Sequence, residues 1–109
     1  MPRVIVAMRD EALAAQLLDE AARERLTAIA EVVPGVMSDA ADPRWDADLA
    51  ECDILLTGWG GPTLNDELLA RAPRLTAIAH AAGTVKRIVT DASWARGIRV
   101  SSAADANGI

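Results

Sequence analysis

Two short loops and one histidine are the places in this 109-residue sequence where residue type and spacing suit chemistry. Trp59-Gly60-Gly61-Pro62 and Ala81-Ala82-Gly83-Thr84-Val85 each follow an apolar run, and small residues there let a carboxylate or phosphate oxygen approach backbone N–H groups closely. In the plainer account Gly and Pro simply make turns. His80, the only histidine, stands just before the second loop, where an imidazole could act as general acid or base. No carboxylate is evidently placed to orient it, so a hydrogen-bonded structural histidine is the plainer reading. Trp59 could wall a pocket or pack as a partly buried aromatic, and Trp94 reads as core.

Other chemistries find less support. Gly58-x-Gly60-x-x-Thr63 carries part of the dinucleotide fingerprint, but the third glycine is absent and the residue about twenty positions on is His80 rather than an acid. A phospho-receiver would need an acceptor Asp where Thr57-Gly58 stands. There is no CxxC pair, HExxH helix or P-loop, and no serine with a base partner, so no catalytic or metal-ligating residue is assigned. Cys52 is the lone cysteine; no internal disulfide can form, and it reads as a small buried residue.

The net charge of −5 argues against a nucleic-acid or anionic-membrane partner. Acids dominate up to Ala70, whereas Arg71, Arg74, Lys86, Arg87, Arg96 and Arg99 face Asp91 alone across the following stretch. That stretch could favour a small anion, or serve as a solvated basic face. No signal peptide or run of transmembrane length is present, which predicts a soluble cytoplasmic protein.

The elements that must position these loops alternate along one domain, residues 1–109. Arg3–Met8 is a β-branched run suited to a strand covered on both faces. Asp10 caps a helix whose face carries Leu13, Leu17, Leu18, Ala21, Ala22, Leu26 and Ile29 at spacings of three and four, and this helix should cover the sheet. Glu31–Val33 is a brief second strand, followed by loop and one helical turn within Ser38–Asp48. Asp53–Gly58 is the third strand. Thr63 with Asp66 fits a capping box for a helix bearing Leu64, Leu68 and Leu69. Leu75–His80 is the fourth strand, Thr90–Arg96 a short helix ended by Gly97, and Ile98–Ser101 the fifth strand. This alternation predicts a flavodoxin-like open parallel sheet with helices on both faces, incomplete at the C-terminus. Ligands would then bind beyond the carboxyl ends of the strands.

Taken in order, Leu55-Leu56-Thr57-Gly58-Trp59-Gly60, Leu68-Leu69-Ala70-Arg71-Ala72-Pro73-Arg74-Leu75, the Ala82-Gly83-Thr84-Val85 loop and Ala95-Arg96-Gly97-Ile98-Arg99-Val100 with Ala106-Asn107-Gly108 resemble the N-terminal part of D-2-hydroxyacid dehydrogenases. The resemblance implies most of a flavodoxin-like substrate domain, with an NAD- or NADP-binding domain elsewhere in a parent enzyme. It implies that backbone N–H groups at Ala82, Gly83, Thr84 and Val85 receive the carboxylate of a small 2-keto or 2-hydroxy acid, with Trp59 and His80 as further substrate-binding candidates. Lys86-Arg87 departs from the acidic and amide residues usual there, leaving the acid open. The hydride chemistry of the family needs a glycine fingerprint, a clamping Arg and a His with its carboxylate, none of which has a matching position. The chain by itself is therefore expected to bind no cofactor and to be inactive, as a fragment of a parent that forms homodimers, with apolar sheet surface left exposed. The alternative is a stand-alone flavodoxin-like module that binds a small anion or docks a protein.

Overall fold

The computed structural model of the chain describes residues 1–80 and 90–102. Strands β1 (Arg3–Ala7), β2 (Glu31–Val32), β3 (Ile54–Thr57), β4 (Ala77–His80) and β5 (Arg99–Ser102) form one sheet in the order β2-β1-β3-β4-β5, with every pairing parallel. This is the flavodoxin-like strand order. Helices α1 (Glu11–Leu17), α2 (Glu20–Ile29), α3 (Asp46–Ala50), α4 (Asp66–Arg71) and α5 (Asp91–Ala95) make the crossovers. The predicted α/β class, strand sequence and helices on both faces are all observed.

Because side chains alternate across a strand, Ile5, Leu55 and Ile78 point to one face of the sheet. There they pack with Leu49 of α3, Leu68 and Leu69 of α4, and the buried Trp45 and Cys52. Val6 points to the other face, where it meets Leu13 and Ala14 of α1 with Leu17 and Leu56 packed alongside. The cover on that second face is partial: Ile54, Leu56, Ala77 and Ala79 are only half-buried.

Three local expectations are corrected. The long helix from Asp10 is two helices, because Asp19 accepts a hydrogen bond from Ala22 N at 2.8 Å and starts a new one. An aspartate is more favourable as a cap than inside a helix. The second helix buries no residue, and Ile29 is exposed. Secondly, the cap of α4 is Asn65, whose Oδ1 accepts from Leu68 N at 2.9 Å, rather than Thr63. Thirdly, Trp94 is exposed rather than core. Helix α5 buries Ser93, with Ala92 packed against the core, and Trp94, one position beyond Ser93 on the helix, points away. The orientation is set at both ends: Thr90 and Ser93 form a reciprocal capping box, and Ile98 N→Ser93 O with Gly97 N→Trp94 O close the helix over Gly97 at φ +76°.

Candidate functional site

The chain leaves β1, β3 and β4 side by side at the carboxyl end of the sheet, and the turn after β3 is built to fit against the exit of β1. Arg9 N donates to Trp59 O at 2.8 Å, and Gly61 N closes the turn onto Gly58 O at 3.1 Å. Gly60 has φ +78°, and a Cβ there would stand 2.7 Å from Arg9 Cβ and 2.9 Å from Arg9 Cα. Only glycine satisfies both the positive φ and the close approach. The backbone beneath Trp59 is thus held by two strand ends, while its side chain is 58% exposed.

Thr57 and His80, the last residues of β3 and β4, are register partners. Their side chains lie on the core face with Leu55 and Ile78, both buried, with Thr57 Oγ1 2.8 Å from His80 Nδ1. The imidazole is buried rather than open on the surface. That matches the structural histidine weighed from the sequence, and Thr57 is the partner that sequence reasoning missed. The signal was weak: two polar residues at equal positions on two unpaired sequence segments become neighbours only once register is known.

Ala82, Gly83, Thr84 and Val85 lie outside the described residues. Of the six candidate substrate-binding residues, His80 and Trp59 are described: His80 ends β4, and Trp59 lies two residues beyond the end of the adjacent β3.

A cleft of about 300 Å³ opens between the segment after β2 and the turn into α4, lined by residues including Asp39, Gly60, Pro62, Glu67 and Arg71. The Arg71 guanidinium is committed to holding its wall. It donates to Asp46 Oδ1 at 2.9 Å through Nε, to Asp42 O at 3.3 Å and to Ala40 O. Arg96 similarly donates to Leu69 O at 2.6 Å, Leu75 O at 3.3 Å and Ala72 O, bracing carbonyls at the end of α4 and in the turn that follows it. Two arginines of the basic stretch therefore serve as struts. At the exit of β1, Asp10 is held below the usual carboxylate range, first by the Leu13 N–H that it caps and then by Arg9.

The partial glycine fingerprint at Gly58–Thr63 does not fit the pyrophosphate of a nicotinamide dinucleotide. The turn at Gly60, where a pyrophosphate would need close backbone approach, is filled by Arg9, and the Gly61 and Asn65 N–H groups are spent on Gly58 O and Thr63 O. Among the described residues no group of three His, Cys, Asp or Glu side chains could hold a metal ion, and no helix is long and apolar enough to cross a membrane.

An open parallel α/β sheet in this order, with its loops at the carboxyl end, defines the class. No protein-family model matches the sequence, and no curated protein matches it. Solved structures do share the fold. A phosphoglycerate oxidoreductase from Rhizobium etli aligns over 94% of this chain and 30% of its own, with TM-score 0.69 and 24% identity. A 3-phosphoglycerate dehydrogenase with bound NAD+ from Entamoeba histolytica aligns over 93% and 32%, with TM-score 0.66 and 14% identity. The pyruvate reductase of Chlamydomonas reinhardtii aligns over 95% and 29%, with TM-score 0.66 and 13% identity. The chain thus spans about a third of the length of these proteins. The fold neighbours are oxidoreductases of the kind that the sequence resemblance led us to expect, and at these identities the likeness shows the shared fold.

Proposed function

We propose that the chain is the substrate-domain portion of an NAD(P)-dependent oxidoreductase acting on a D-2-hydroxy acid and its 2-keto partner. Backbone N–H groups of Ala82, Gly83, Thr84 and Val85 receive the substrate carboxylate, Trp59 borders the site, and His80 with Thr57 forms its floor. The observation that carries this reading is the five-stranded sheet, matched over 94% of the chain by an oxidoreductase of a small acid. On this reading the cofactor and the groups that exchange hydride and proton belong to the rest of a parent enzyme that forms homodimers in the cytoplasm. The 109 residues alone do not turn over substrate.

A second reading, a stand-alone module that docks a protein, is favoured by the half-buried apolar face of Ile54, Leu56, Ala77 and Ala79.

The test is an amide 15N–1H titration of the chain with pyruvate, acetate and inorganic phosphate, beside an NADH-oxidation assay. The proposed function expects pyruvate to shift the Gly83 and Thr84 amides well beyond acetate or phosphate, with no NADH oxidation. Equal shifts from all three would identify a general anion module, and no shift from any would leave the docking reading.

A further inference from the structure

We infer that α2 is a detachable cover at the β2 edge of the sheet: in the folded chain, residues 19–29 unfold and refold as one unit while α1, β2 and the rest of the sheet keep their places. This conformational device is independent of the proposed 2-keto acid site.

The first ground is how little holds the helix from outside. An isolated helix of ten residues is marginal in water even when rich in alanine, so α2 depends on what it packs against. None of its residues is buried. Ala22 and Leu26, four apart on one face, are half-buried, and the other eight, Ile29 among them, are exposed. Helix α1 is shorter, at seven residues, yet Leu13 and Ala14 anchor it in the cluster around Val6.

The polar groups of α2 do not replace that packing. Arg25 Nε donates to Ala21 O at 3.4 Å and Thr27 Oγ1 to Glu24 O at 3.0 Å, both within the same helix, so neither bond ties it to a neighbour. Among the described residues no ion pair engages Arg23 or Arg25. Glu20 and Glu24 stand at i, i+4, where like charges repel. Asp19 caps the first turn through Ala22 N, but the last turn carries no basic residue and runs into Ala30 in extended backbone, φ −149°, with no glycine to close it.

The second ground is that both flanks are fixed independently of α2. On one side Leu18 N closes α1 onto Ala14 O at 2.8 Å, and the chain is extended there, at φ −114° and ψ 92°. On the other, Ala30 is buried, and Glu31 N, Val33 N and Met37 N donate to Pro2 O, Val4 O and Val6 O at 2.8, 2.9 and 2.8 Å. Those three bonds lace the segment to β1, and Met37 is buried in the core cluster on the opposite face. Opening therefore stops at Leu18 and at Ala30, and it breaks bonds such as Arg23 N→Asp19 O and Ala30 N→Leu26 O without disturbing the sheet. In the open form β2, an outermost strand, loses the helix that packs beside it.

The experiment is native-state hydrogen exchange of the 109-residue chain, followed amide by amide in urea below the unfolding transition. We expect the amides of residues 24–29 to be at least about tenfold less protected than those of Leu55 and Leu56 in the central strand β3. Their exchange should not change with urea, because the opening exposes little surface, whereas that of the strand amides should rise along the global unfolding curve. Thr27→Pro removes a helical hydrogen bond at an exposed position and deletes no buried side chain. It should abolish protection throughout α2 and leave Leu55 and Leu56 protected, with urea unfolding still cooperative. Equal protection in α2 and β3 with the same urea dependence overturns the inference, as does loss of strand protection in Thr27→Pro.

Discussion

Thr57 Oγ1 and His80 Nδ1 lie 2.8 Å apart at the matching ends of two adjacent parallel strands, both side chains buried. The bond ties the end of β3 to the end of β4 at the carboxyl edge of the sheet. Thr57→Val keeps the shape and removes the hydroxyl, stripping Nδ1 of this partner. The cost should be about 1–3 kcal/mol in urea unfolding, the usual penalty for a buried polar group that loses its hydrogen bond. Thr57→Ser, which retains the hydroxyl, should lose less.

Gly60 and Gly97 separate two reasons for a glycine. Both have positive φ, +78° and +76°, but a Cβ at Gly97 would meet nothing within 4 Å, whereas at Gly60 it would strike Arg9. Gly97→Ala should therefore cost only the conformational term, about 1–2 kcal/mol. Gly60→Ala should cost clearly more in the same denaturation measurement and should displace the Arg9 and Trp59 amide signals, because the clash falls on backbone.

Asp10 caps α1 through Leu13 N at 2.8 Å, and its carboxyl is held below the ordinary value. A carboxylate with a depressed folded-state pKa stabilises the fold above its unfolded value and loses that contribution as the pH falls through the folded one. Asp10→Asn retains a capping oxygen but no titration. Its melting temperature should fall below that of the parent chain at pH 6–7, about two units or more above the unfolded carboxylate value, and the gap should narrow as the medium is acidified.

Cys52 is buried, and its thiol is pushed up to about 11, chiefly by burial. The thiolate is the reactive form. A disulfide reagent should label the folded chain far more slowly than the unfolded chain at pH 8, with labelling tracking the unfolding curve. Because the folded-state value is raised, this group's effect is absent at neutral pH and lowers stability as the pH rises from the ordinary thiol range towards 11.

How much of this was legible in the sequence follows from the range of each interaction. The runs Arg3–Ala7 and Ile54–Thr57 are short and apolar, and the helices between strands are marked by acidic or polar caps at Asp10 and Thr90. Such local signals, repeated along the chain, specify alternation and hence parallel crossovers. The division of α1 from α2 at Asp19 was present too, as an aspartate inside a periodic apolar face, but helical spacing outweighed it in the reading. Trp94 was misplaced for a different reason: a large apolar residue on a short helix reads as core until the anchoring of Thr90 Oγ1 to Leu64 O, 2.5 Å across the fold, shows which side faces inward.

The sequence by itself determined the order and type of most elements, the Asp10 cap that begins α1, and the loops at the carboxyl ends, because each depends on residues within a few positions of one another. Tertiary structure alone decided that Thr57 meets His80, that Arg9 fills the approach at Gly60, that Arg71 and Arg96 brace carbonyls instead of waiting for an anion, and that Ile54 and Leu56 look out from a half-covered face. The Thr57–His80 contact joins residues 23 positions apart and the Arg71–Ala40 contact residues 31 apart. Periodicity carries no information about such pairs; strand register and the crossing of helix over sheet bring them together.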